Sequence, residues 1–204
     1  MRQTEEQLSK LPVTAVSDAL KGQTNMNPAI QPVKEDLRVF GRAHTVKVRA
    51  ADNKLVLRGI SEAKKGDVLV VDARGWRENA ACGDFVVGLA KTLGLSGMVI
   101  DGAVRDLAGI RDLDFPVFCL GTTQAASGRH GTGETGVSIS CGGAVVNLGD
   151  WIIGDLDGVA VIPAGEEEQV LSAALKKLDA DETREKQVLL NEESARVYLD
   201  ELFQ

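Results

Sequence analysis

Between residues 39 and 122 the chain changes repeatedly between two hydrophobic periods, and few folds accommodate that. Apolar runs at 68–71, 97–100 and 116–120 are of strand length and too short for helices. Helical spacing separates them: 55–63 before the first run, Val86, Leu89, Ala90 and Leu93 before the second, and 107–113 before the third. Lys64-Lys65-Gly66-Asp67 and Gly94 supply the helix stops. Strands alternating with helices predict parallel pairing, because a parallel neighbour is reached only by a crossover, which a helix fills.

The flanks follow other patterns. Pro12 opens a first turn, Val13, Val16 and Leu20 share one face, and Gly22 ends the segment, so an N-terminal amphipathic helix is expected. Residues 39–50 read as a strand with Thr45, Lys47 and Arg49 on a wet face, and the run from Val68 reads as a buried strand ending at Asp72. Beyond residue 136, four short strands (137–140, 144–147, 151–154, 159–162) separated by Gly142-Gly143, Gly149-Asp150 and Asp157-Gly158 predict an antiparallel meander. From Gly165 the pattern is helical, with Glu166, Glu167 and Glu168 at the positive end of the dipole and Leu171, Leu175 and Leu178 as an apolar stripe. The fold class is therefore α/β with parallel and antiparallel strands. Residues 1–164 read as one domain and 165–204 as a C-terminal helical extension.

Bulk properties narrow the function. A hydrophobic share of 44% against 26% charged is ordinary for a globular protein, and a net charge of −7 argues against a non-specific nucleic-acid binder. The start MRQTEEQLSK has no apolar core of a signal peptide and no stretch approaches a bilayer span, so a cytoplasmic protein without membrane attachment is expected. Three widely spaced cysteines and two histidines leave neither a disulfide framework nor a nitrogen- or sulfur-ligated metal site. Any metal should be oxygen-ligated, Mg²⁺ or Mn²⁺.

The chemistry falls on two turns that bracket the central helix and strand. Ligands of open α/β folds bind beyond the carboxyl ends of strands, and helix N-termini present N–H groups to anions. Gly83-Asp84-Phe85-Val86 opens the helix, so the Asp84, Phe85 and Val86 N–H groups are candidates to hold a carboxylate. Asp101, Arg105 and Asp106 cluster after the strand. Arg105 offers a guanidinium fork for an acid, and Asp101 and Asp106 offer oxygens for a hard cation. Structural alternatives remain: Asp84 and Asp106 as helix caps, Arg105 and Asp106 as a surface ion pair, and Asp101 as a hydrogen-bonded strand residue. Residues 121–136, rich in Gly, Thr and Ser, read as a site-lining loop in which Arg129 and His130 are solvated. No lysine sits in an apolar pocket suited to imine chemistry.

Gly83-Asp84, the run Gly97-Met98-Val99-Ile100-Asp101-Gly102-Ala103-Val104-Arg105-Asp106, Pro116-Val117-Phe118 and Gly154-Asp155-Leu156-Asp157-Gly158-Val159 together resemble the family that unites regulator of ribonuclease E activity A with 4-hydroxy-4-methyl-2-oxoglutarate aldolases. The likeness spans residues 14–163. It implies a swivelling β/β/α domain that assembles as a homotrimer or dimer of trimers, with sites at subunit interfaces. In its aldolase branch the positions matching Asp106, Arg105 and Asp84 bind the divalent metal, hold the pyruvoyl group and position a water for proton transfer, and the turn matching Gly83, Asp84, Phe85 and Val86 contacts substrate. Asp101 and Asp106 follow the aldolase pattern. Gln124-Ala125-Ala126 departs from the Pro-Arg common in relatives, and Arg129 stands near a position often occupied by Lys.

The activity so implied is metal-dependent cleavage of a 4-hydroxy-2-oxo acid to pyruvate, with oxaloacetate decarboxylation as a side reaction. The alternative is a non-catalytic trimer that binds an RNA-processing enzyme. Menaquinone methylation, a label some relatives carry, ranks last because no glycine-rich nucleotide loop is present. Past Leu178 a second apolar set, Val188, Leu189, Val197, Tyr198 and Leu202, is expected to reach a neighbouring subunit, bringing Glu182 or Glu185 towards its site.

Overall fold

The structure, a computed structural model, describes residues 3–203. In chain order the elements are α1 (Gln3–Leu8), α2 (Val13–Ala19), β1 (Gln31–Pro32), β2 (Val39–Val48), α3 (Lys54–Glu62), β3 (Val68–Cys82), α4 (Asp84–Thr92), β4 (Gly97–Val104), α5 (Leu107–Asp112), β5 (Val117–Thr122), β6 (Gly133–Thr135), β7 (Ile139–Cys141), β8 (Ala144–Val146), β9 (Trp151–Asp155), β10 (Gly158–Ile162), α6 (Glu167–Val188) and α7 (Glu192–Leu202).

The period changes become a parallel centre, β2-β3-β4-β5, with α3, α4 and α5 in the crossovers. An eight-stranded sheet of order β1-β5-β4-β3-β2-β9-β10, with β6 added to β2, extends that centre by antiparallel pairs. On one face Val56, Ile60, Val87, Ala90 and Ile110 of the helices meet Val46, Leu69, Ile100 and Val117. Fully burying a side chain of this size contributes roughly 1.5–3 kcal/mol, which makes the helical layer rigid. The opposite face, with Val70, Val99 and Phe118, is covered by the β7–β8 hairpin through Ile139, Cys141 and Val146. A third core joins β9 and β10 to α1, α2 and the first half of α6.

Four expectations need correction. Thr45 is not on a wet face: the hairpin segment covers it and its Oγ1 donates to Val137 O at 2.7 Å, while Lys47 is half-buried and Arg49 exposed. β3 does not end at Asp72 but runs to Cys82, because register shifts after Asp72, with Arg74 and Gly75 in the left-handed region, bend the strand without ending its pairing to β4. The late strands do not form one meander. β7 and β8 pair only with each other, and Asp150, whose Oδ2 accepts from Asn147 N at 2.8 Å, turns the chain so that β9 joins β2 instead. On α6 the buried set is Val170, Leu171 and Ala174 with Leu178 beside it, while Leu175 is exposed; small Ala174 stands where α2 packs.

Candidate functional site

β3, β4 and α4 converge so that two turns meet at the carboxyl end of the sheet. Arg105 N donates to Cys82 O at 3.0 Å, so the chain leaving β4 is tied to the end of β3 just before α4 begins. Gly83 precedes α4, and the side chains of Arg105 and Asp106 lie directly over its backbone. A Cβ at Gly83 would sit 2.3 Å from Asp106 Oδ2 and 3.1 Å from Arg105 Cγ, so only glycine admits this approach. Asp106 has φ +58° at the start of α5, a left-handed conformation that Asp tolerates better than most residues. Its side chain makes no capping hydrogen bond and instead meets Arg105 Nε at 3.2 Å.

Asp84 is half-buried. Its Oδ1 accepts from Phe85 N at 2.6 Å, and its Oδ2 lies against Gly109 of α5, where a Cβ would come within 2.5 Å. Two glycines thus let two carboxylates sit close to backbone across one turn. Between them opens a cleft of about 140 Å³ lined by Gly83, Asp84, Phe85, Val86, Arg105 and Asp106 on one wall. Phe85, 71% exposed, stands at its mouth.

The rest of the lining comes from both sides of this stretch in the chain: Asn53 before it, and Ala126, Ser127 and Arg129 after it. Asp52 holds it. This carboxylate, only 2% exposed, accepts from Gly131 N at 2.7 Å, Thr132 N at 3.0 Å and Lys54 N at 3.1 Å. Burial pushes its pKa up, but the bonds from Thr132, Lys54 and Gly131 outweigh that and hold it below the ordinary carboxylate value. The bent part of β3 holds the other end of the loop, with Asn79 Nδ2 donating to Ala126 O at 2.9 Å and Ala80 N to Ala125 O at 2.8 Å.

The chemistry available follows from what lines the cleft. Cys82 lies there, but burial, then the neighbouring Cys119, pushes its thiol far above the ordinary value, so it is no thiolate nucleophile. Among the described residues no lysine lines the cleft. What remains is two guanidinium groups, two carboxylates, the Ser127 hydroxyl and Asn53, whose Oδ1 is buried with no hydrogen-bond partner. An unmet buried acceptor costs about 1–3 kcal/mol, a cost that a ligand donor would relieve. Among the described residues no three His, Cys, Asp or Glu side chains gather into a metal cage. A single exposed carboxylate still suits Mg²⁺, which keeps most of its waters and takes one or two protein oxygens.

Of the seven residues singled out on the two turns, six meet in this cleft: Gly83, Asp84, Phe85, Val86, Arg105 and Asp106. Asp101 does not line it. It lies inside β4 opposite Asp72, rather than at a strand end, and its Oδ2 accepts from Gly142 N at 3.0 Å, so its partner is the β7–β8 hairpin. Burial raises its pKa against that hydrogen bond, with Asp72 adding to the rise. Arg129, expected to be only solvated, is exposed and also lines the cleft. Asn53 was missed, although its place just after β2, at the same sheet edge as the other site turns, is a usable signal.

Comparison with known proteins agrees with this architecture. The model of the RraA-like family, Aldolase/RraA, matches residues 13–161. A protein of Halalkalibacterium halodurans named "Putative 4-hydroxy-4-methyl-2-oxoglutarate aldolase" is 49% identical over 196 residues, which covers 96% of this chain and 93% of the relative. The RNA-processing inhibitor RraA from Thermus thermophilis superposes with a TM-score of 0.68 at 29% identity, over 76% of this chain and 96% of that one. Streptomyces coelicolor RraAS2, described as an unusual member of the RNase ES inhibitor RraA family, shares the fold with a TM-score of 0.79 at 24% identity, over 90% and 96% of the two chains. This chain belongs to the RraA-like family, Aldolase/RraA.

Proposed function

We propose that the protein is a divalent-metal-dependent carbon–carbon lyase that cleaves a 4-hydroxy-2-oxo acid such as 4-hydroxy-4-methyl-2-oxoglutarate to pyruvate, with oxaloacetate decarboxylation as a side activity. The observation that carries the reading is the joint placement of Arg105 and Asp106 over the Gly83 backbone, facing Asn53 and Arg129 across a cleft of small-molecule size. The name of the 49% identical relative supports it.

Arg105 commits Nε to Asp106, which fixes the guanidinium plane and leaves the two Nη atoms to grip the substrate carboxylate and the 2-oxo oxygen. Asp106 would hold Mg²⁺ or Mn²⁺, with water supplying the remaining ligands. Bound there, the cation supplies Lewis acidity at the 2-oxo group. The first turn of α4 adds N–H groups and the positive end of the helix dipole to the carboxylate site. Asp84, its carboxylate held by Phe85 N–H and by contact with Gly109, orders the water that takes the 4-hydroxyl proton; C4 becomes a carbonyl as the C3–C4 bond breaks, the electron pair passes into the pyruvate enolate that Arg105 grips, and the same water returns a proton to C3. Arg129 pairs with the second carboxylate of a dicarboxylic substrate. Pyruvate release measured with Mg²⁺, with Mn²⁺ and with chelator across 4-hydroxy-2-oxo acids and oxaloacetate tests the reading; no release from any of them overturns it.

A second reading has its own observation. Leu189, Leu190, Val197, Leu199, Leu202 and Phe203 are all more than half exposed on and around α7. That apolar surface suits either the homotrimer contacts of a cytoplasmic enzyme or a non-catalytic binder of an RNA-processing enzyme. Among the described residues no helix is long and apolar enough to cross a membrane.

A further inference from the structure

On the far side of β2 from the hairpin, His44 presents a nitrogen with nothing to do. The residue is 8% exposed, and its Nε2 is buried without a hydrogen-bond partner. The nearest carboxylate oxygen, Glu62 Oε2 at the end of α3, is 4.0 Å away, too far for a hydrogen bond. Glu62 is already in use: Oε2 accepts from Thr135 Oγ1 at 2.6 Å, and Oε1 accepts from Arg58 Nε at 2.6 Å. Thr135 belongs to β6, the strand that ends the cleft-walling loop, and the next residue, Gly136, donates its N–H to Thr45 O on β2 at 2.8 Å.

We propose that His44 and Glu62 form a proton-operated release for the loop that walls the cleft. With His44 neutral, Glu62 holds Thr135 and β6 stays docked on β2. A proton taken from solvent onto Nε2 makes it a cationic donor beside the solvent-reached Glu62 carboxylate. A charge-assisted N–H···O bond needs about 2.8 Å, so the Glu62 oxygen must move by roughly 1 Å towards β2. That movement takes it off Thr135, whose backbone is anchored at Gly136 and does not follow. The far end of the loop then depends on the three β6 pairs to β2, a short edge strand, and on Asp52.

The groups around His44 set the direction of the switch. Burial pushes its pKa down from the ordinary histidine value, while Asp67, in the turn before β3, and Glu62 pull it up. Arg58 faces it only through Glu62. On β6 the residue registered against Val46, and so on the face of His44, is the neutral Thr135. Glu134 is registered against Lys47 on the opposite face. The loop is accordingly held at neutral pH and freed on acidification. The proposal concerns the loop and stands whether or not the cleft is catalytic.

The test is amide hydrogen exchange at Glu134 and Gly136, whose N–H groups face β2 in the antiparallel ladder, in the intact protein between about pH 5 and 8, corrected for intrinsic exchange, alongside the ring C–H shifts of the two histidines followed by NMR. Protection at both amides should fall by about tenfold, or ~1.4 kcal/mol, with a midpoint that follows the His44 titration and not that of His130. In His44→Gln the fall should vanish. In Glu62→Gln, whose amide oxygen still accepts from Thr135, both midpoints should move together to lower pH, which keeps the proposal testable if the His44 variant does not fold. An acid loss of protection that persists unchanged in His44→Gln, or a loop midpoint that ignores Glu62→Gln, overturns it.

Discussion

The two walls of the cleft are built in opposite ways. One wall, Gly83 to Val86 with Arg105 and Asp106, is the termini of buried strands and of a helix whose Val87 and Ala90 are fully buried, so each side chain inherits its position from the core. The other wall joins Asn53, at the start of the core-packed α3, to Ala126, Ser127 and Arg129, which lie in a loop with no buried apolar side chain of its own. Asp52, Asn79 and the β6 edge hold it by polar bonds. Core-built walls are stiff and fix geometry; polar-held walls open at lower cost and are sensitive to proton concentration and sequence. On the proposed function, reaction geometry belongs to the first wall, and admission and selectivity to the second.

The largest effects should come from the first wall. Asp106→Asn keeps a residue that tolerates φ +58° while removing the charge, so the fold should persist while metal-dependent pyruvate release is abolished. Arg105→Lys should lower kcat/KM by roughly 100-fold, because an ammonium lacks the planar fork that Asp106 orients. Near wild-type turnover in either would mean that the ion pair is structural and that the comparison of walls misplaces the chemistry.

Gly83→Ala asks whether the core-built wall is as stiff as claimed. The new methyl would meet Asp106 Oδ2 at 2.3 Å, the end of a movable side chain, so folding should survive with little change in melting temperature. Activity should fall by roughly 10- to 100-fold as Asp106 and Arg105 are displaced from the cleft. Wild-type kinetics would show that the close approach is incidental.

The polar wall should respond in stability first and in kcat last. Asp52→Ala leaves three backbone N–H groups without their acceptor, and at about 1–3 kcal/mol per unmet donor, offset by water reaching the loop, a net loss of roughly 2–4 kcal/mol is expected. Limited proteolysis should then cut within residues 121–136. The pH sign follows from the depressed carboxylate. Its stabilisation is fully present above the ordinary Asp value, 3.8, and is lost as pH falls through the lower folded value, so wild type and variant should converge in acid. A stability gap that stays constant down to strong acid would remove Asp52 from this role. Arg129→Ala should act more mildly, raising KM for a dicarboxylic substrate about tenfold while sparing kcat and the monocarboxylic analogue.

The same division explains what could be read without coordinates. The core-built wall was legible because its residues adjoin the apolar runs that define strands and helix. Gly83 stands just before a helical pattern, and Arg105 and Asp106 just after a strand-like one. The polar wall was not, since nothing local links Asp52 to Gly131 or Asn79 to Ala126; the bonds close across 79 and 47 residues. β3 beyond Asp72 was hidden because Arg74-Gly75-Trp76-Arg77-Glu78-Asn79 reads as a loop, and its pairing survives only through irregular register with β4. The hairpin and the β9–β10 pair carry the same turn signals, so their separation into different layers rests on Asp150 alone among the local cues.

The smallest effect on either wall should come from the tail. No residue of α7 is buried, and the cleft lining stops at Arg129, so the tail supports neither wall of its own chain. A chain ending at Leu178 keeps Val170, Leu171 and Ala174 in their core and should melt close to the full-length monomeric unit. In the full-length chain α6 runs from Leu178 on to Val188, roughly 15 Å at ~1.5 Å per residue, before the exposed Leu189 and Leu190 and then α7, which gives the tail reach beyond its own domain. If it seats on a neighbouring subunit, truncation should lower the sedimentation coefficient and the activity together, and both should return at higher protein concentration. An unchanged, fully active assembly would show that α7 serves neither wall, in its own chain or in a neighbour.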